Sequence, residues 1–231
     1  DGSTDETLDI IQKCKDPRIR LIIAGKVGRG TALNIGLQAC RGEYVAVLDA
    51  DDLCSRHRLQ QQVELLNSNS HIDLLCGTAA FNEDELHSTA RTQTPTVTVL
   101  SPRHLAGKNL IIHSTVAFRR HVVLSVGGYD QTRSNLLDFD LWIRLAQANH
   151  PMAISNKPFA MHRVHKDQYF TNNNRLSYLY AGMKLRFKSA VCFGESVIDY
   201  LLPVAGFLYG FLQRSFRRGR LRSKFEDPNS S

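Results

Sequence analysis

The chain has 231 residues, 42% of them hydrophobic, with 29 Lys and Arg against 22 Asp and Glu and hence a net charge of +7. That length and apolar fraction suit one large globular domain, or a domain with an appendage, and exclude an intrinsically disordered chain. The positive excess is uneven: RSFRRGRLRSK (Arg214–Lys224) holds no acid, so the net charge argues for no nucleic-acid partner and points instead to anionic lipid beside the tail.

Five scattered cysteines (Cys14, Cys40, Cys54, Cys76 and Cys192), odd in number and never spaced as CxxC, indicate neither a disulfide framework nor a zinc site. They fit a reducing, cytoplasmic setting. No signal peptide precedes residue 1, and residue 1 is not Met, so either the chain is processed or its beginning lies upstream.

In chain order, TLDIIQKCK (Thr7–Lys15) sets Leu8, Ile11 and Cys14 at helical spacing behind the capping residues Ser3, Thr4 and Asp5. IRLIIA (Ile19–Ala24) predicts a short strand, and GKVGRG a glycine-rich loop opening the helix TALNIGLQAC, which Gly42 ends. YVAVL predicts the next strand, followed by a helix from about Arg58 to Asn67 and a strand over Ile72–Phe81. TQTPTVTVLSP is an extended or loop segment, IIHSTVAFRR (Ile111–Arg120) a strand with polar side chains, and HVVLSVGGYD a short helix running into a Gly-Gly turn. DFDLWIRLAQAN (Asp138–Asn149) predicts an amphipathic helix with Leu141, Leu145 and Ala148 on one face. Alternation of this kind predicts an α/β fold whose mostly parallel sheet is flanked by helices, with ligands gathering at the carboxyl ends of the strands.

Three acidic signals sit at such ends. Asp49 and Asp51 are two residues apart, so persisting strand geometry points them the same way and lets them share one Mg²⁺ or Mn²⁺; the alternative is that Asp51 and Asp52 cap the following helix while Asp49 bonds a turn. DGSTDET is an acidic turn that is either a helix cap or a second part of the site beside Asp49. Asp138 opens a helix, where backbone dipoles keep a carboxylate ionised as a base, or it too is a cap.

In this order, DGSTDET, GRGTALNIGLQACRGEYVAVLDADD, RLQQQ, HSTVAFRR, GGYD, LDFDLWIRLA and HRVHKDQ resemble the family 2 glycosyltransferases, inverting enzymes of the GT-A fold, from residue 1 to about 168. The resemblance implies that Asp1 contacts the nucleotide base of a sugar donor. It implies that Asp49 and Asp51 form the DxD-type motif that touches the ribose and holds the metal, Asp51 more directly, and that Asp138 deprotonates the acceptor hydroxyl. Arg29 is either a donor contact or a solvated loop arginine, and His113 lines the acceptor cleft or is a satisfied partly buried histidine. Arg163, His165 and Gln168 match a segment that closes over the donor diphosphate. The chain departs from the family at Arg56, where Pro is usual after the motif, and at Leu137, where Glu commonly precedes the base. The resemblance further implies a strand, a helix and a second strand ahead of Asp1, which makes the sequence read as a fragment.

VIDYLLPVAGFLYGFL (Val197–Leu212) holds sixteen mainly apolar residues interrupted by Asp199, Pro203 and Gly206. It is short for a bilayer span, which needs about 20. It fits either an interfacial helix at the inner face of the cell membrane, serving a glycan or lipid-linked acceptor, or a helix packed on the protein's own surface. The organisation expected is a GT-A catalytic domain over residues 1–170, a helical, membrane-associated region over 171–222 and a disordered tail over 223–231. Two other functions compete with sugar transfer: a nucleotide-sugar binding module without activity, and a phosphohydrolase of the haloacid dehalogenase kind with Asp49 as nucleophile. A dinucleotide site is weaker, since GRGTAL lacks the third glycine of GxGxxG.

Overall fold

A computed structural model describes residues 1–86, 94–161, 163 and 175–225, with residue 175 and residues 212–225 described by backbone alone. Chain contacts divide it into two compact units, Asp1–Val99 with Ile111–His162, and Leu100–Leu110 with Arg163–Ser231.

The first unit carries α1 (Thr7–Lys13), α2 (Arg29–Ala39), β1 (Tyr44–Ala46), β2 (Leu53–Cys54), α3 (Arg58–Ser68), β3 (Leu74–Ala80), β4 (Val97–Leu100), β5 (Ala117–Arg119), α4 (Arg120–Ser125), α5 (Leu137–Gln147) and β6 (Met152–Met161). The strands lie in the order β1-β5-β3-β6-β2, with β4 also on β6. The α/β class stands, but the sheet is mixed. β3 and β6 run parallel, whereas β1–β5, β3–β5 and β2–β6 are antiparallel. Parallel neighbours were expected in part from a strand at Ile19–Ala24, and no ladder forms there; Ile19, Leu21, Ile22 and Ile23 are exposed instead. β5, entering between β1 and β3 from a 3₁₀ turn at His113–Thr115, supplies the antiparallel pairs.

The core gathers Leu66 of α3, Ile72, Leu75 of β3, Ala117 of β5, and Ala153 and Phe159 of β6. Gly77 makes the β3–β6 contact close: a Cβ there would collide with the Lys157 carbonyl, at the place where the ladder register shifts between Cys76 and Thr78. α5 is buried on more than one face, with Phe139, Leu141, Trp142, Ile143 and Leu145 all inside. Ala148, expected on its apolar stripe, caps the helix and is exposed.

In the second unit the 3₁₀ turn Pro102–Leu105 is tied to α6 (Arg175–Phe193), the Ser189 hydroxyl donating to the Leu105 carbonyl. α7 (Val197–Phe225) runs antiparallel to α6, Gly206 facing Arg186 and Gly210 facing Leu179. Asp199 accepts from the backbone N–H groups of Glu195 and Ser196, both at 3.0 Å, and so caps α7. The helix continues through Phe225 into the segment expected to be disordered, and residues 226–231 lie outside those described. No helix among the described residues is long and apolar enough to cross a membrane.

Candidate active site

The glycine-rich loop ahead of α2 is shaped to receive a carboxylate. Gly28 has φ +88, a conformation side-chain-bearing residues rarely adopt. In that loop the N–H groups of Val27 and Gly28 both donate to Asp1 Oδ1, at 2.8 and 2.9 Å. The next residue, Arg29, opens α2 and reaches Asp49, with Nη2 3.0 Å from Oδ1. Asp1, Arg29 and Asp49 therefore form one connected acidic and basic edge.

Asp49 does not lie on a strand. β1 ends at Ala46, and the Asp52 N–H bonds the Asp49 carbonyl at 3.1 Å, so Asp49–Asp52 is a turn. The expectation that strand geometry aligns Asp49 with Asp51 is corrected accordingly, because this bond turns the chain before the alternation can continue. Asp51 is half-buried within the turn, while Asp52 is buried at 7% exposure.

Arg58 holds this turn against the His113 segment. Its guanidinium is buried and donates to Val47 O at 2.7 Å and Val116 O at 3.0 Å, while Nε bonds Gln62 at 2.9 Å. Burial pushes its pKa down to about 10. Gln62 in turn donates to Thr115 O at 2.9 Å. One buried helix face thus fixes both the chain leading into Asp49 and the turn carrying His113.

His113 is 8% exposed. Its Nε2 lies 3.0 Å from the Tyr129 hydroxyl, and its Nδ1 faces Asp49 Oδ1 at 3.7 Å. The His113 contact and the charge of Arg29 hold the Asp49 carboxyl below the ordinary carboxylate value, against the opposing effect of burial. Burial, together with the charges of Asp138 and Asp49, pushes the Tyr129 hydroxyl up, so it keeps its proton. Both carboxylates therefore act on the same phenol.

Asp138 lies half-buried in the first turn of α5, behind Leu136, which sits in the left-handed region at φ 52. Two residues on, buried Asp140 pairs with Arg144 at 2.8 Å and Arg133 at 3.4 Å. Arg144 also donates to Val126 O at 2.7 Å and Gly128 O at 2.6 Å, locking the Gly-Gly turn onto α5. Arg163 is exposed and belongs to the second unit, and His165 and Gln168 lie outside the described residues. Among the described residues no three His, Cys, Asp or Glu side chains cluster as a metal site. The hard oxygens of Asp51 and Asp49 nevertheless suit Mg²⁺ or Mn²⁺, which complete their shells with water and phosphate.

A model of glycosyl transferase family 2 matches residues 1–127, more than half of the chain. The chain belongs to glycosyl transferase family 2. Among its relatives in this family is the amylovoran biosynthesis glycosyltransferase AmsE of Erwinia amylovora, 29% identical over 76% of this chain and 65% of AmsE. Chondroitin synthase of Escherichia coli is 26% identical over 64% of this chain and 21% of that protein. The chain thus spans under two thirds of the length of either relative. Among solved structures, S. aureus TarS 1–349 in complex with UDP-GlcNAc superposes with a TM-score of 0.62, at 15% identity, over 91% of this chain and 61% of that one. The mannosyltransferase PcManGT from Pyrobaculum calidifontis, in complex with GDP-Man and Mn²⁺, gives 0.50 at 17% identity, over 81% and 50%. These likenesses give the family 2 chain the GT-A fold, and the family membership leaves the phosphohydrolase reading without support.

Sequence reasoning singled out the acids Asp1, Asp49, Asp51 and Asp138 but missed Asn34, Arg58, Tyr129 and Arg144, whose contacts the fold makes. Asn34 was readable as a polar residue inside an apolar helix, and Arg58 as a charge at the head of RLQQQ. Their partners, backbone carbonyls far along the chain, have no local signature.

Proposed function

We propose that this chain is the donor-binding and catalytic part of a metal-dependent inverting glycosyltransferase that moves a sugar from a nucleotide-diphosphate donor to an acceptor hydroxyl. The observation that carries this reading is the edge formed where the Val27 and Gly28 N–H groups hold Asp1, and Arg29 and His113 converge on Asp49, within the stretch that matches the family model. AmsE, an amylovoran biosynthesis enzyme, supports a role in cell-surface polysaccharide or glycoconjugate synthesis.

In this reading Asp1 meets the nucleotide base, Arg29 and Asp49 border the ribose and diphosphate, and Asp51 is the principal metal ligand with Asp49 beside it. Mg²⁺ or Mn²⁺, when bound, supplies positive charge against the departing diphosphate. Asp138 takes the proton of the acceptor hydroxyl; the freed oxygen forms a bond to the anomeric carbon as the bond from that carbon to the diphosphate oxygen breaks, and the electron pair leaves with the nucleoside diphosphate. Arg163, His165 and Gln168 are assigned to the diphosphate, and the catalytic domain to residues 1–170. The region 171–222 is assigned to an anionic membrane surface at the inner face of the cell membrane, where a lipid-linked acceptor would lie. Leu201, Leu208, Tyr209 and Phe211 are exposed along α7 just ahead of Arg214–Lys224.

The test is nucleoside diphosphate release from a panel of nucleotide-sugars, with and without Mn²⁺, for the wild type, Asp51→Asn and Asp138→Asn. Release that needs Mn²⁺, Asp51 and Asp138 supports transfer; donor binding without release in every case favours a binding module without activity. Flotation with phosphatidylglycerol vesicles, lost when the chain ends near Ser196, tests the membrane assignment.

A further inference from the structure

Asn34, Tyr129 and His113 form a chain of contacts that ends on Asp49 and belongs to neither the donor nor the acceptor residues assigned above. Asn34, within α2, holds the Tyr129 backbone at both ends: Nδ2 donates to the Tyr129 carbonyl at 2.8 Å, and Oδ1 accepts from the Tyr129 N–H at 2.8 Å. Gly128 has φ +68 and leaves room for this clamp, since a Cβ there would overlap Asn34 Oδ1. Tyr129, 3% exposed, carries its hydroxyl to His113 Nε2 at 3.0 Å. The Tyr129 ring stands edge-on to the imidazole, 5.7 Å between centroids, and the Trp142 ring lies 6.2 Å away, so the imidazole is fixed in tilt as well as position.

That leaves Nδ1. It is buried and has no hydrogen-bond partner, and it faces Asp49 Oδ1 at 3.7 Å. With the phenol donating to Nε2, the ring proton belongs on Nδ1 and points at the carboxylate. The opposite tautomer would set a lone pair against a negative charge in a buried setting, which is costly.

We propose that His113, braced by Tyr129 and Asn34, is a positioning residue for Asp49 rather than part of the acceptor cleft. Because Asn34 and Arg29 lie on the same helix, α2 reaches Asp49 twice: directly through Arg29, and indirectly through Tyr129 and His113. Both contacts converge on one carboxylate oxygen, Asp49 Oδ1. The role in donor binding rests on the glycosyltransferase reading; the His113–Asp49 contact itself does not.

Two measurements separate these. A double-mutant cycle on urea unfolding uses His113→Ala, Asp49→Asn and the double variant. Coupling of about threefold or more in the unfolding constant is expected for residues in contact, and additive effects would overturn the contact whether or not the chain is active. Calorimetry with Mn²⁺ and UDP, or Mn²⁺ and GDP, then compares His113→Asn, which keeps a donor near the Nδ1 position, with His113→Gln, which keeps one near Nε2. His113→Asn should retain nucleotide affinity within about threefold and His113→Gln should lose about tenfold, with Tyr129→Phe between them and the acceptor KM unmoved. Nucleotide affinity unchanged in all three variants with a raised acceptor KM would overturn the proposal and return His113 to the acceptor. If the wild type binds neither nucleotide, the glycosyltransferase reading fails, while the unfolding cycle still decides the contact.

Discussion

Arg29 Nη2 and Asp49 Oδ1 meet at 3.0 Å across twenty residues of sequence, joining the first residue of α2 to the acidic turn after β1. Both side chains keep substantial solvent exposure, so the pair contributes little to stability by itself. Its consequence falls on the site. Arg29→Ala should weaken donor binding about tenfold through the loss of one charge-assisted contact, with kcat changed less than KM. Arg29→Lys should recover only part of it, because a point charge replaces a planar fork. Initial-rate kinetics against donor concentration check both.

Asp138→Asn keeps the size of the side chain and removes its basicity. Transfer should fall by about 10²–10⁴-fold, with nucleotide affinity near the wild-type value. Asp51→Asn should show the complementary pattern, with the response of activity to Mn²⁺ concentration flattened or moved to much higher metal. The two variants together separate proton removal from metal binding.

Arg58→Met preserves much of the buried volume and deletes the donors to Val47 O and Val116 O. One buried and one partly buried carbonyl lose a charged partner, and a loss of about 2–4 kcal/mol in urea-unfolding free energy is expected. Gly77→Ala should destabilise the same unit by a different route, forcing β3 and β6 apart where a Cβ would meet the Lys157 carbonyl. Gly77 lies outside the assigned donor and acceptor contacts, so folded Gly77→Ala should show a near-normal donor KM, whereas Arg58→Met, which frees the chain leading into Asp49, should raise it.

The N-terminus of α7 should respond to acid. Bonds from the Glu195 and Ser196 backbone N–H groups, then from the Ser196 hydroxyl, hold the Asp199 carboxyl below its ordinary value of 3.8. A folded-state value lower than the unfolded one means that the cap's contribution is fully present above pH 3.8. It is lost as pH falls through the lower folded-state value. Helicity followed by circular dichroism between pH 5 and 2 should therefore contain a component from α7 that is absent in Asp199→Asn, whose Tm at neutral pH should already be lower.

Much of this architecture is legible in the residues. α3 and α5 follow from apolar spacing, and both begin within a residue of where that spacing places them. β6 is not legible, because Ser155, Asn156, Lys157 and Pro158 interrupt its apolar pattern, and pairing with β3, β2 and β4 is what keeps the segment extended. The site divides in the same way. Acids crowded at Asp49–Asp52 are conspicuous because like charges need a counter-charge. Arg58 and Asn34 are not, because their partners are backbone groups up to 58 and 95 residues distant, and only the fold brings those near.

Buried Arg58 ties the approach to Asp49 and the segment behind His113 to one helix of the core. The acidic turn should accordingly show no melting transition of its own. Loosening it requires pulling a charged group out of the interior, a step equivalent to opening α3 from the sheet. Heat inactivation and global unfolding should coincide, and amide exchange at Val47 and Val116 should be as slow as at Leu75 in the core. Any tuning of this site by substitution is thereby confined to the solvent side of the turn, where Arg29 stands.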